Sequence, residues 1–274
     1  MNAIVCIAQK ELKDGLRNRW IIAITLIFAL LSIGISWFGA AASGVVGFTS
    51  IPNTIVSLAS LAVFIIPLIA LLLSYDAIVG EDEDGTLLLL LTYPLSKMQL
   101  LLGKLLGHGL ILGVSTLLGF GLAALTIAIF ADNVDVIKLS FAFARFILSA
   151  TLLGGVFICI AYLISVLVSE KSKAAGVALI SWFLFVLAFD LSLLGILVAT
   201  KGQFSPDLFP YFLLLNPTDI FRLINLIGFE GGGAGLLVMS SDIGFSIGAL
   251  FLMLFGWLAF PLALTIWVFD RRSI

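Results

Sequence analysis

Apolar residues run along this chain in six long stretches, separated by shorter segments that hold most of the charged residues. A helix needs roughly 20 apolar residues to cross the hydrocarbon core of a bilayer. The pattern therefore predicts an all-α polytopic membrane protein with six transmembrane helices, in a single domain that covers residues 1–274. The predicted spans are about 20–40, 58–75, 105–131, 146–168, 174–199 and 243–269.

Lysine and arginine residues are distributed unequally over the segments that flank the predicted spans. Counted by alternate segments, ten lie on the side of the two termini and four lie on the other side. Cytoplasmic segments of membrane proteins carry an excess of these residues, so we expect both termini in the cytoplasm. Segment 76–98 is then cytoplasmic, and the long segment 200–242 is periplasmic.

Residues 4–17 show a helical period in which apolar and polar side chains occupy opposite sides. The apolar side holds Ile4, Val5, Ala8, Leu12 and Leu16, and the polar side holds Gln9, Lys10, Lys13, Asp14 and Arg17. The pattern predicts an amphipathic helix in the cytoplasmic interface, with its lysines near anionic headgroups. A charge cluster that only sets the orientation of the chain would explain the lysines but not the apolar side.

Segment 76–98 contains a run of four carboxylates followed by Gly85, Thr86 and five leucines. The acidic residues are Glu81, Asp82, Glu83 and Asp84. Because like charges repel, such a run either stays solvated or faces a basic partner. The leucine run is too short to span and too apolar for water, so we expect a short helix, capped by Thr86 and buried against lipid, the bundle or another protein. A solvated turn followed by an interfacial leucine helix is the alternative.

Two capping patterns predict helix starts. Ser96 with Gln99 has the spacing of a capping box. In the second pattern Asn216 is a favourable N-cap, Pro217 suits the first helical position, and Asp219 lies where a carboxylate stabilises a helix N-terminus. The apolar side of this second helix holds Ile220, Leu223, Ile224 and Ile227, its polar side holds Asp219, Arg222 and Asn225, and glycines 231–233 are expected to end it.

One acidic residue, Asp190, lies deep within a predicted span. A carboxylate there costs about 2.5–3.5 kcal/mol on insertion scales, so we expect Asp190 to be paired or protonated inside the bundle. Arg145, near the outer start of the fourth span, is the candidate partner. The alternative is that Asp190 forms part of the polar lining of a translocation path.

Composition and motifs narrow the class of protein further. With 62% apolar and 11% charged residues, the chain is neither a soluble enzyme nor a nucleic-acid binder. It has no G-x-x-x-x-G-K-[ST] phosphate loop and no H-E-x-x-H motif, so we expect no catalytic residue and no nucleotide bound by a phosphate loop in this chain. Cys6, Cys159, His108 and the four methionines form no obvious ladder of Cu(I) ligands, so no metal site is expected. We expect His108 to be a hydrogen-bonded packing residue.

The pattern around the acidic run resembles the signature of ABC-2-type permeases, the six-helix membrane subunits of ATP-binding-cassette transporters. The matching residues are Glu81-x-x-x-Gly85-Thr86-x-x-x-Leu90-Leu91-x-x-Pro94-x-Ser96-x-x-x-Leu100-Leu101-Leu102-Gly103-Lys104. Stretches 10–20, 47–52, 75–81 and 215–223 are similar to the permeases of transporters that mature nitrous-oxide reductase. The resemblance implies a type V exporter-like fold in which residues 4–17 form an elbow helix.

The same resemblance implies a location in the inner membrane of a bacterium, together with partners and roles. Two cytoplasmic ATPase subunits would bind ATP and Mg²⁺ beneath a dimer of this chain, and this chain itself would hold no cofactor. Residues Glu81 to Thr86 would contact the ATPase, and a periplasmic solenoid protein would bind on the opposite side of the membrane. For that second contact we expect Asn216, Pro217, Asp219 and Arg222, although the helix that carries them could instead only cover the outer end of the dimer.

The function implied is a non-catalytic permease subunit that transmits ATP-driven motion to a periplasmic partner during copper-site maturation of nitrous-oxide reductase. Passage of a solute through the chain is compatible with this role. The alternative is an ABC-2 exporter of a lipid-linked or hydrophobic solute. An intramembrane enzyme would need a catalytic pair of residues, which the sequence does not offer.

Overall fold

The computed structural model describes residues 3–39, 47–48, 50–200, 209–227 and 245–272, and the regular structure within them is helical. In chain order the helices are Ala3–Arg17 (α1), Trp20–Phe38 (α2), Ile51–Ser74 (α3), Val79–Glu83 (α4), Thr86–Leu91 (α5), Lys97–Phe130 (α6), Val136–Leu167 (α7), Lys171–Phe183 (α8), Phe189–Ala199 (α9), Phe209–Leu213 (α10), Pro217–Leu226 (α11) and Ile247–Arg271 (α12). A π-helical turn, Leu184–Ala188, joins α8 to α9 without a break.

Six helical stretches are long and apolar enough to cross a membrane, in agreement with the number of predicted spans. These are α2, α3, α6, α7, the continuous α8–α9 and α12. Three of them begin earlier than the apolar pattern indicated, because α3, α6 and α7 start at Ile51, Lys97 and Val136. Apolarity marks only the part of a helix that can lie in lipid, whereas the first turns of these three helices carry polar side chains.

Capping side chains fix the early starts. The hydroxyl of Ser50 accepts a hydrogen bond from the backbone N–H of Asn53, and the carboxylate of Asp135 accepts from two N–H groups in the first turn of α7. The predicted capping box is confirmed: Ser96 Oγ accepts from the backbone N–H of Gln99, and the Gln99 side chain accepts from the N–H of Ser96. Each cap pairs backbone donors that the helix itself leaves without partners.

The two longest helices, α6 and α7, pack against each other at the centre of the core. Helices α1 and α2 lie along α6, and helices α3 and α12 lie along α7. A series of aromatic rings crosses this core, in which Phe120 contacts Phe28 at 4.9 Å and Phe146 at 4.8 Å between ring centroids. Phe146 in turn lies 5.8 Å from Phe221 of α11. These rings join four helices in the half of the bundle away from α1.

The fifth and sixth spans are much less covered than the others. In the most apolar 18-residue stretch of each helix, only 11% is buried in α8–α9 and 17% in α12, against 67% in α7. Both helices are apolar around most of their circumference, so their open faces must contact lipid or another chain.

The predicted periplasmic segment is not simply a surface loop, because α10 and α11 lie within it. Helix α11 packs against α3, α7 and α12, and both its apolar and its polar side are largely buried. It begins as predicted, since the side chain of Asn216 accepts a hydrogen bond from the N–H of Thr218. It ends at Leu226, earlier than the predicted stop at glycines 231–233, which lie outside the described residues.

Helix α1 forms as predicted, with apolar and polar side chains on opposite sides, and one edge of its apolar side packs against α6. Its buried residues are Ile7, Ala8, Glu11 and Gly15, which face α6. Val5 and Leu16, which were predicted on the apolar side, are 44% and 52% exposed. These two residues extend the apolar side beyond the buried face and are available to lipid. Placement of α1 in the membrane interface remains a prediction.

Candidate functional site

The acidic segment lies at the end of the bundle where α1, the start of α6, the start of α8 and the end of α12 meet. Most of its carboxylates are paired with groups of this same chain. We call this group of residues the charged hub, and its members are Lys10, Glu11, Glu81, Asp82, Glu83, Asp84, Lys104, Lys171 and Arg272.

Successive carboxylates of the acidic segment contact different helices. Glu81 pairs with Lys104 of α6 at 2.7 Å and with Lys10 of α1 at 3.2 Å. Asp82 pairs with Arg272 at the end of α12, at 2.7 Å. A five-residue helix presents successive side chains in different directions, about 100° apart, so α4 can reach several neighbours at once. The alternatives of a solvated run or a run that faces only another protein are therefore wrong for Glu81 and Asp82.

The last two carboxylates of the segment hold the start of α8. Glu83 accepts a hydrogen bond from the backbone N–H of Lys171 at 2.8 Å. Asp84 pairs with the Lys171 ammonium at 3.0 Å. Both acidic side chains are exposed, and a carboxylate near a helix N-terminus is favoured by the helix dipole. The start of the fifth span is thus attached to the acidic segment.

Lys104 is the buried centre of the charged hub, with only 3% of its surface exposed. Its ammonium lies 2.9 Å from Glu11 Oε1 and 2.7 Å from Glu81 Oε1. Burial alone would raise the pKa of Glu11, but the charge of Lys104, with His108 and Lys10, outweighs it and lowers that pKa to about 2. Glu11 is therefore ionised at neutral pH, as the pairing requires.

His108 extends these contacts into the bundle. Its Nε2 lies 3.5 Å from Glu11 Oε2, and its Nδ1 is hydrogen-bonded to the hydroxyl of Tyr162 of α7 at 2.7 Å. The prediction of a hydrogen-bonded packing residue is confirmed. A connected set of polar groups thus runs from α1 through α6 to α7.

Small residues allow α1 to approach α6 closely. A Cβ atom at Gly107 would lie 2.5 Å from Glu11 Cβ, and one at Gly103 would lie 2.6 Å from Ile7 Cβ. Two glycines four residues apart lie on one face of a helix and let another helix approach its backbone. This packing brings Glu11 within reach of Lys104. From the sequence, Lys104 was named only as the last residue of the family motif and was given no pairing, although a lysine between two such glycines was the available signal.

Helix α5 presents an apolar surface beside the charged hub. Leu87 is buried, whereas Leu88, Leu89 and Tyr93 are 59%, 64% and 60% exposed. Gly85 connects α4 to α5 with a φ of 68°, a conformation that suits glycine. Thr86 does not cap α5 as predicted, because its hydroxyl instead donates a hydrogen bond to the carbonyl of Glu81 at 3.1 Å.

The residues predicted to bind a periplasmic partner lie mainly inside the chain. Asn216 and Asp219 are 0% and 1% exposed, and Pro217 is also buried. The amide of Asn216 donates to the carbonyl of Phe185 at 2.9 Å and to Asp219 Oδ2 at 3.1 Å. Residues in this position cannot form a docking surface, so that prediction is wrong for these three. The polar side of α11 faces α9 and the π-helical turn because α11 folds back into the bundle.

Asp190 has a different partner from the one predicted. Its carboxylate pairs with the guanidinium of Arg222, which also contacts Asp219 at 2.9 Å. Arg145 instead donates a hydrogen bond to the backbone carbonyl of Ile227, at the end of α11. The predicted pair of Asp190 with Arg145 is therefore wrong. Arg222 was predicted to face outward, and the return of α11 into the bundle brings it to Asp190.

Comparison with known proteins agrees with this architecture. Residues 5–274 match the family model that is described as “ABC-2 family transporter protein”. The chain is 60% identical over 274 residues to the "probable ABC transporter permease protein NosY" of Stutzerimonas stutzeri, with 99% of each chain covered. It is also 60% identical over 275 residues to the protein of the same name from Pseudomonas aeruginosa, with all of both chains covered. The chain therefore belongs to the ABC-2 transporter family, as a multi-pass membrane permease.

Proposed function

We propose that this chain is the permease subunit of an ABC transporter required for copper-site maturation of nitrous-oxide reductase. The full-length identity of 60% to two permeases named NosY is the observation that carries this proposal. The transporter would contain a second copy of this chain, two cytoplasmic ATPase subunits that bind ATP and Mg²⁺, and a periplasmic solenoid protein. Both termini would lie in the cytoplasm, at the inner membrane.

The ATPase would contact the exposed surface of α5 rather than the acidic run alone. Leu88, Leu89 and Tyr93 project from the end of the bundle next to the charged hub, and an exposed apolar group of this kind is typical of a protein contact. Glu83 and Asp84 are exposed beside them and can add electrostatic contacts at the rim.

Motion would pass from the ATPase into the spans through the charged hub. A displacement of α4 and α5 moves the carboxylates of Glu81 and Asp82, which are bound to α6 and to the end of α12. It also moves the start of α8 through Glu83. Because α8–α9 is the least buried span, it can move with the least loss of packing within the chain. A second copy of the chain would cover its open face.

A deletion strain tests the proposed role in maturation. Without this gene we expect nitrous-oxide reductase to be produced and exported but to lack its copper, as measured by metal analysis of the purified enzyme. Reintroduction of the wild-type gene should restore the copper content. A fully copper-loaded reductase in the deletion strain would exclude the proposal and favour an exporter with another cargo.

The absence of a metal site in this chain remains a prediction.

The ATPase contact is tested by co-purification from membranes. We expect the double change Leu88→Ser with Leu89→Ser to abolish co-purification of the ATPase while the permease remains inserted. Lys173→Gln is the control. Lys173 is exposed next to the charged hub, and it pairs with Glu170, which is not a member of the hub. Normal recovery of the ATPase with the double variant would place the contact elsewhere.

A further inference from the structure

Two carboxylates share one guanidinium between α9 and α11. Nη1 of Arg222 donates to Asp219 Oδ1 at 2.9 Å and also to Asp190 Oδ2. Asp190 comes from the fifth span, whereas Asp219 and Arg222 are on neighbouring turns of α11. We call these three residues the acid–arginine triad.

The triad has an excess of one negative charge if both acids are ionised. Asp219 is 1% exposed, and the side chains of Arg222 and Asp190 are 16% and 28% exposed. A buried site that carries an uncompensated charge is strongly unfavourable, and two carboxylates that share a site rarely both ionise. Of the two acids, Asp190 is the more exposed, and the guanidinium of Arg222 contacts both.

Neighbouring helices supply little to balance this charge. Helix α3 contains no charged residue, and α12 has charged residues only at its far end, at Asp270 and Arg271. On α7, Lys138 is paired with Asp135, and Arg145 donates to the carbonyl of Ile227 at the other end of α11. Among the described residues, Asp190 and Arg222 are the charged groups with the largest effect on Asp219.

We propose that the acid–arginine triad is a proton-binding site, in which one proton shared by the carboxyl groups of Asp190 and Asp219 keeps the buried group electrically neutral. The ligand is a proton rather than a metal ion, because Asp219 already accepts a hydrogen bond on each oxygen, from Arg222 and from Asn216. The proposal does not depend on the proposed function.

The environment of Asp219 supports this assignment. Burial and the nearby charge of Asp190 raise the pKa of Asp219 to about 7, although Arg222 and the amide of Asn216 act in the opposite direction. Because the charge of Asp190 acts on Asp219, the proton belongs to the pair, and its titration will depend on both residues.

The proton would control how firmly α11 is held against the fifth span. Asn216 donates both to Asp219 Oδ2 and to the carbonyl of Phe185 in the π-helical turn. Loss of the proton leaves a buried negative charge at this contact and weakens it. The pKa of Asp219 is raised from 3.8 to about 7 when α11 packs against the fifth span. This packing is therefore most stable at acidic pH and weakens as pH rises between those two values.

Infrared spectroscopy of the full chain in lipid nanodiscs tests the proposal directly. We expect the wild-type chain to show the C=O band of a protonated carboxyl group at mildly acidic pH, lost as pH rises through about 7. Asp219→Asn should lack this band. In Asp190→Asn, where one acid faces one arginine, the band should titrate at lower pH. Asp135→Asn is the control, because Asp135 is an exposed N-cap on the same side of the bundle, and this variant should behave like the wild type.

Thermal unfolding of the same four proteins gives a second measurement. The wild type and Asp135→Asn should lose stability as pH rises toward neutrality, whereas Asp219→Asn should show a smaller dependence. Asparagine has nearly the same shape as aspartate, so the variants are expected to fold. The proposal is overturned by a wild-type chain without the band at acidic pH, by survival of the band in Asp219→Asn, or by an unchanged titration in Asp190→Asn.

Discussion

The buried ammonium of Lys104 lies 2.7 Å from a carboxylate oxygen of Glu81, and this ion pair joins the long helix α6 to the short helix α4. The same ammonium lies 2.9 Å from Glu11 of α1. One lysine thus holds together three elements that are separated along the chain. A charged centre of this kind suits the transmission of movement between helices that the proposed function requires.

Replacement of Lys104 by Met should leave two acidic side chains without their main partner. Removal of one member of a buried ion pair typically costs about 3–5 kcal/mol, so we expect a large loss of thermal stability. Thermal unfolding of the purified variant measures it. Lys13→Met, at an exposed position of α1, should have little effect. If the two variants unfold at the same temperature, Lys104 does not stabilise the hub.

A methyl group at Gly107 should separate α1 from α6. In Gly107→Ala the new Cβ would lie 2.5 Å from Glu11 Cβ, so α1 must shift, and we expect a loss of about 1–3 kcal/mol as in other overpacked cores. Gly109→Ala is the matched control on the same helix, since no atom of another element lies within 4 Å of the place that its Cβ would take. The control should be neutral or slightly stabilising because alanine favours helix. Equal effects of the two changes would contradict the close packing.

Gly85→Val should impair the proposed coupling between the ATPase and the permease. The cause would be the backbone conformation at this position rather than a steric clash. The φ of 68° disfavours a β-branched residue, whereas no atom lies within 4 Å of a Cβ built at this position. We therefore expect Gly85→Asn to be tolerated, because asparagine adopts this conformation more readily. ATPase activity of the assembled transporter is the measurement. Normal activity of the valine variant would show that the turn can adopt another conformation.

Acid should weaken the charged hub. The pKa of Glu11 is lowered from 4.5 to about 2, so its pairing contributes full stability above pH 4.5, and this contribution is lost as pH falls toward 2. Unfolding temperatures measured across this range should fall in the wild type. In Glu11→Gln the decline should be smaller, since that variant lacks the titrating group. A decline of equal size in both proteins would assign the acid sensitivity to other residues.

The number of spans and several helix starts could be predicted from the sequence because each depends on local properties. Six apolar stretches of sufficient length are enough to indicate six membrane helices, whatever their arrangement. The capping box of Ser96 and the N-cap of Asn216 involve residues within three positions of each other, and both were predicted correctly. The family could likewise be inferred from local motifs around Glu81 and Gly85.

The partners of charged residues depended on the tertiary structure. Glu81 meets Lys10, 71 positions away, and Asp82 meets Arg272, 190 positions away, so no local pattern relates them. Asp190 was assigned to Arg145 because Arg145 lies near the outer start of the fourth span. The return of α11 into the bundle brings Arg222 to Asp190 instead. The sequence by itself determined which segments form helices and enter the membrane, because hydrophobicity and capping act locally, whereas the ion pairs required the packing of distant helices.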